Sequence, residues 1–156
     1  MPSHTQSPTV LLVEDSDDDA FFFQRALRLS GFACELTHLL DGGATIEHLA
    51  KTAGGGAEAP RRPDLVFLDL KIPTSSGFEV LEWVRTQAFE PPLDIAVLSG
   101  SEHAGDVERA LSLGATAYYV KPILVQQLKS RFEAWQHKRA TPAAAMPSAA
   151  GRNGTG

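Results

Sequence analysis

The stretch Asp64-Leu65-Val66-Phe67-Leu68-Asp69, followed by Leu70-Lys71-Ile72-Pro73, constrains this chain more than any other. A continuous apolar run bounded by turn residues reads as a strand buried on both faces, the kind found in parallel sheets. Asp69 falls at the carboxyl end of that strand, where open α/β sheets place their ligands. A lone acid there could simply cap the following turn. The rest of the chain decides between these readings.

Residues 1–8 are polar with two prolines and read as a disordered lead-in. Thr9 to Val13 is a short apolar strand running into Glu14 and Asp15. Ser16 and Asp17 then start a helix whose first-turn acids, Asp18 and Asp19, suit the helix dipole, and Gly31 stops it. Phe22, Ala26 and Leu29, with Phe23 and Leu27, form its expected buried stripe, and Phe21 points away, either to pack under a neighbouring loop or to stay exposed for a partner. Ala33 to Leu39 reads as a second strand, with Cys34 as a small packing residue. Asp41-Gly42-Gly43 is the turn after it, and Ala44 to Ala53 is a helix through Ile46, Leu49 and Ala50. Gly54 to Pro63 is a surface loop, and its triple glycine lacks the lysine of a P-loop. After the central strand, Ser75-Ser76-Gly77 opens a helix carrying Phe78, Val80, Leu81 and Val84. Asp94 to Ser99 is a fourth strand, His103 to Leu113 a helix, and Thr116 to Val120 a fifth strand ending at Lys121-Pro122. A last helix from Leu124 to about Lys138 presents Leu124, Leu128, Phe132 and Trp135, and 139–156 reads as a disordered tail.

Five strands alternating with helices predict a (βα)5 doubly wound parallel sheet of the flavodoxin-like type, strand order 2-1-3-4-5. The 156 residues hold one such domain. A net charge of -5 argues against binding nucleic acid through a basic face, and no apolar run approaches the roughly 20 residues of a membrane span. With no signal-like start and a single cysteine, the expected location is cytoplasmic.

The strand ends deliver Glu14, Asp15, Asp69, Ser99 and Lys121 to one edge of the sheet. Three crowded carboxylates call for a hard divalent cation, and Mg2+ suits a site that also takes phosphate. A carboxylate beside such an ion can attack a phosphoryl group, Lys121 can pair with the phosphoryl oxygens, and Ser99 can hydrogen-bond one of them. The five histidines are scattered without metal-ligand spacing.

In order and spacing, Leu12-Val13-Glu14-Asp15, Phe67-Leu68-Asp69-Leu70 with Pro73 and Gly77, Leu98-Ser99, and Tyr118-Tyr119-Val120-Lys121-Pro122 resemble the receiver domains of two-component response regulators. The resemblance covers about 9–138. It implies that Asp69 is the phosphoacceptor and that Asp15 binds Mg2+ directly, Glu14 mostly through water, together with Asp69 and the main-chain carbonyl of Lys71. It makes Ser99 the switch hydroxyl, Tyr118 the switch aromatic and Lys121 the phosphate-pairing lysine, with a cis Lys121-Pro122 bond. Without it, one of Tyr118 and Tyr119 faces inward as core in any case, because they alternate along a strand. The implied function is a stand-alone regulator phosphorylated by a sensor histidine kinase. The acidic entry to the first helix and the extended loop before the third strand are similar to the small regulators paired with bacterial phytochromes. Those often form homodimers through helix four, strand five and helix five, and a dimer is expected here.

Two positions depart from the pattern's common form. Lys71 is a cation near the site, expected to pair with an acid or to lengthen the life of the phosphoryl group. Ser101 is a second variable position. Lys71 also speaks against an aspartate-nucleophile phosphatase, which needs a second acid two residues after Asp69. A phosphorylation-independent module of the same fold would normally have lost Asp15, Asp69 or Lys121. A flavodoxin-type cofactor binder shares only the fold.

Overall fold

The computed structural model describes residues 7–54 and 56–140. Its elements run β1 (Thr9–Val13), α1 (Asp17–Ser30), β2 (Glu35–Leu39), α2 (Gly42–Ala53), β3 (Leu65–Asp69), α3 (Gly77–Gln87), β4 (Ile95–Ser99), α4 (Ala104–Ser112), β5 (Ala117–Val120) and α5 (Val125–Ala140). All strands pair in parallel, in the order β2-β1-β3-β4-β5. The expected fold class and strand order are those observed. The expected lead-in and tail fall largely outside the described residues, but Arg139 and Ala140 belong to α5 and not to a tail.

Period-two alternation divides the strands between two cores. Leu11, Val13, Val66, Leu68, Ile95 and Val97 face α2, α3 and α4, while Val10, Leu12, Leu65, Phe67, Ala96 and Leu98 face α1 and α5. Both faces of the three central strands are therefore dry, and β1, β3 and β4 are buried at every position. Each fully buried Leu or Phe contributes about 1.5–3 kcal/mol.

On α1 the expected stripe is displaced. Phe22 and Leu29 are more than half exposed, and the face against the sheet is Ala20, Phe23, Ala26, Leu27 and Ser30. Three consecutive phenylalanines leave the phase of the pattern ambiguous. The two alanines decide it, because they let the helix approach the sheet closely enough for Phe23 to meet Phe67 at 4.9 Å between ring centroids. Phe21, off the expected stripe, is exposed and does not pack under a neighbouring loop. Ala50 and Leu124 are exposed too, and Thr45, whose hydroxyl donates to the Asp41 carbonyl, takes a buried place on α2. Cys34 is half-buried against the α1–α5 core, and burial pushes its thiol up from its ordinary value.

The loops at the carboxyl edge interlock through backbone. Gly42 is the first residue of α2 and not part of a preceding turn; Asp41 caps the helix, accepting the Ala44 N–H at 2.7 Å. A Cβ on Gly42 would lie 1.8 Å from the Ser75 carbonyl oxygen, and one on Gly77 would lie 2.5 Å from the Asp69 carbonyl oxygen. Thr74, held at φ 64, accepts the Gly43 N–H and donates to Pro73 and Asp41, joining the β3–α3 loop to the start of α2. A capping box between Ser76 and Glu79 then opens α3. Gly77→Ala should lower stability by about 1–3 kcal/mol, the usual cost of forcing atoms into a packed site, as read by urea denaturation. An unchanged midpoint would show that the loop yields freely.

Candidate functional site

β1 delivers two acids in different surroundings. The Glu14 N–H donates to the Leu39 carbonyl (3.0 Å), and His38 Nε2 donates to the Glu14 carbonyl (2.8 Å), so Glu14 is held as an extension of the sheet. Its side chain is buried and accepts the Ser16 N–H at 3.1 Å, whereas Asp15 points to solvent. β3 ends in Asp69, only 4% exposed, whose Oδ1 accepts the Lys71 N–H (3.1 Å). β4 ends in Ser99, also buried, whose Oγ accepts the Ser101 N–H (3.0 Å). The Lys121 N–H donates to the Ser99 carbonyl (2.8 Å), and the Lys121-Pro122 bond is cis, as is Glu90-Pro91.

The Lys121 ammonium is the meeting point. Its Nζ donates to Glu14 Oε1 at 2.9 Å, Asp19 Oδ2 at 2.8 Å and Asp69 Oδ2 at 3.0 Å, which uses all three of its protons. Burial alone would lower its pKa; the hydrogen bonds to Asp19, Glu14 and Asp69 overcome that and raise it above the ordinary lysine value. Glu14 is pushed up to about 7, chiefly by burial and further by Asp69, against the lowering effect of Lys121 and the Ser16 N–H. Carboxylate oxygens of Glu14, Asp15 and Asp69 lie within 4.8 Å of one another. These are hard oxygen donors carrying excess negative charge, the chemistry that suits a divalent cation.

The edge opens on a cleft of about 890 Å3 lined by Asp15, Asp69 and Lys121 together with Ser101 and His103. Lys71 lies at this cleft with its side chain exposed and in no ion pair among the described residues. Of its two expected roles, pairing with an acid is not the one adopted. Tyr118 is half-buried against the α3–α4 side of the core and donates its hydroxyl to the Ser101 carbonyl at 2.9 Å. Tyr119 packs on the opposite face.

Sequence reasoning missed Asp19 as a member of the site and treated it as a dipole-favoured acid of the first turn. The available signal was its place in the first turn of the helix that follows β1 directly, which keeps it near the same edge. His38, set aside among the scattered histidines, braces the end of β1.

A doubly wound parallel sheet whose carboxyl edge gathers three carboxylates around one ammonium, with Asp15 beside them, is the architecture of a receiver-type site suited to a divalent cation. The sequence model of the response regulator receiver domain matches residues 10–133, and the chain belongs to that family. It is 34% identical over 124 residues to the probable methanogenesis regulatory protein FilR2 of Methanothrix harundinacea, covering 80% of this chain and 78% of that one. It is 34% identical over 112 residues to the response regulator Rcp1 of Synechocystis sp., covering 72% and 75%. The Mn2+-bound form of Rcp1 superposes with a TM-score of 0.67 at 30% identity, covering 82% of this chain and 94% of that one. The phosphorylated cyanobacterial phytochrome response regulator RcpA superposes with a TM-score of 0.71 at 29% identity, covering 84% and 95%. The chain spans 56% of the length of some longer transcriptional regulators.

The raised value of Glu14 has a measurable consequence. Between pH 4.5 and about 7 the folded protein holds a proton that the unfolded chain has released, so without metal this residue costs stability as pH rises through that window. Glu14→Gln cannot ionise. In EDTA, the urea midpoint of Glu14→Gln should therefore rise relative to wild type from pH 4.5 to above 7. A wild type that gains on the variant over the same range would mean that the pairing with Lys121 outweighs burial.

Proposed function

We propose that this chain accepts a phosphoryl group from the phosphohistidine of a sensor histidine kinase onto Asp69, and signals by a change at its surface. One observation carries the reading: the buried Asp69 carboxylate opens on an acid-lined cleft with the Lys121 ammonium already 3.0 Å away. An Asp69 oxygen attacks phosphorus, the phosphorus–nitrogen bond breaks, and the imidazole leaves with a proton taken from solvent. The product is an acyl phosphate on Asp69, and its hydrolysis later returns the carboxylate and inorganic phosphate. Lys121 pairs with the phosphoryl oxygens as a point charge, and Ser99 donates its hydroxyl to one of them. Mg2+ would be held by Asp15, Asp69 and the main-chain carbonyl of Lys71, with Glu14 acting mostly through water, and would neutralise charge on the transferring group. The chain then acts as a phosphoacceptor signalling protein and assists its own phosphorylation and dephosphorylation.

The output follows from what Ser99 touches. Ser99 is joined to Ser101 through the Ser101 N–H, and Ser101 to Tyr118 through its carbonyl, so donation of the Ser99 hydroxyl to the phosphoryl group would be felt at the start of α4 and at β5. The α4–β5–α5 face exposes Leu111, Val120 and Leu124, which supports its use as an output or homodimer surface. The likeness to RcpA and Rcp1 supports a phytochrome-type photoreceptor kinase as the phosphate source in the cytoplasm.

Incubation with Mg2+ and a small phosphodonor should add one phosphoryl group by intact mass, absent from Asp69→Asn and abolished by EDTA. Label retained in Asp69→Asn would assign the chemistry to another residue. Once formed, the acyl phosphate should decay severalfold faster in Lys71→Ala, because the exposed Lys71 cation no longer shields it from water. An unchanged half-life would remove Lys71 from the mechanism.

A further inference from the structure

Among the described helices with both ends in view, α4 is the shortest and the most lightly anchored. It has nine residues, begins Ala104-Gly105, buries only Ala110, and its N-cap residue His103 makes no side-chain capping bond. What ties the start of α4 down is a side chain two residues before the N-cap. Ser101 Oγ accepts the His103 N–H at 3.1 Å and donates to Asp106 Oδ2 at 2.9 Å. The Ser101 N–H donates to Ser99 Oγ at 3.0 Å, and its carbonyl accepts the Tyr118 hydroxyl at 2.9 Å. Every polar group of Ser101 is thus engaged, and its bonds join the end of β4, the middle of β5 and the first turn of α4.

The Ser101 N–H occupies one lone pair of the Ser99 hydroxyl, which keeps the hydroxyl proton out of that direction and free to donate to another acceptor. Whatever fixes Ser101 therefore fixes the direction in which Ser99 can donate. Asp106 does so, from a different element. We propose that Asp106 is a positioning residue: its hydrogen bond to Ser101 latches the β4–α4 loop so that Ser99 is pre-oriented toward a phosphoryl group on Asp69. The inference rests on reading Asp69 as the phosphoacceptor.

Asp106 also places a negative charge on the cleft, and two variants separate that charge from the bond. Asp106→Asn keeps an oxygen acceptor for Ser101 and loses the charge, whereas Asp106→Ala loses both. With Mg2+ and a small phosphodonor, Asp106→Ala should phosphorylate about 2- to 10-fold more slowly, the factor that corresponds to one net hydrogen bond. Asp106→Asn should stay close to wild type. Ser101→Ala, which also loses the bond from the His103 N–H, should be at least as slow as Asp106→Ala, and the double variant should be no slower than Ser101→Ala alone, because Asp106 acts through Ser101. Equal effects of Asn and Ala at position 106 would overturn the latch in favour of simple electrostatics.

A second readout needs no phosphate. Amide hydrogen exchange at Ser101 and His103 should quicken by a similar factor in Asp106→Ala and stay unchanged in Asp106→Asn. Unchanged exchange in Asp106→Ala would overturn the latch even if phosphorylation slowed. A wild type that takes up no phosphoryl group, yet shows the expected exchange pattern, would instead overturn the phosphoacceptor reading and with it the purpose assigned to the latch.

Discussion

The site depends on one shared ammonium. Glu14 and Asp69 are both buried at the end of neighbouring strands, where two like charges in a medium less polar than water would repel strongly. Lys121 reaches them from the far side of the sheet and spends its remaining proton on Asp19, which comes from α1. The ammonium therefore does more than neutralise: it ties β1, β3 and α1 to the residue that follows β5. Even so, burial, with the charge of Asp69 adding to it, keeps Glu14 hard to ionise. With Asp15 added, three carboxylates lie within 4.8 Å of one another, a donor set that suits a hard cation.

The precision of that arrangement comes from backbone. Gly77 sits against the carbonyl of Asp69, and Gly42 sits against that of Ser75, so the β3–α3 loop is held between a strand end and a helix start. Asp69 is thereby fixed on three sides: by its ladder to β4, by the Lys71 N–H on its carboxylate, and by the glycine beneath its carbonyl. A side chain so held keeps one orientation, which is what a group that must react in one direction needs.

How much of this was legible in the sequence depended on the length scale of each signal. Strands buried on both faces write themselves as unbroken apolar runs, so β1, β3 and β4, and with them the positions of Asp69 and Ser99, could be read directly. The convergence of Glu14, Asp15, Asp69, Ser99 and Lys121 followed from the parallel topology alone. Signals that depend on which face of a helix turns inward were weaker. The burial face of α1 was set by Ala20 and Ala26, whose small size carries little weight in an apolar pattern, and not by the more conspicuous Phe22 and Leu29. Asp19 was missed because its local role as a first-turn acid explained it fully, leaving no residue of surprise. The Ser101–Asp106 bond was beyond reach for a similar reason: it is made by two common polar residues, and only the path of the loop brings them together.

In a parallel sheet every connection that enters a helix lies at one edge, and every connection that leaves one lies at the other. The long glycine- and proline-rich connection between α2 and β3 belongs to the second kind. It departs from the end of α2, is largely exposed up to Arg61, and is tied down near its end by Arg62, which donates to the Pro91 carbonyl and stacks over Phe89. The chain's spare length is thus stored at the pole farthest from the acids, while the β3–α3 loop at the reactive pole has none to give. Among the described connections this is where the molecule has room to grow or shorten, and a tag or a second module spliced just before Arg61 would leave the reactive pole untouched.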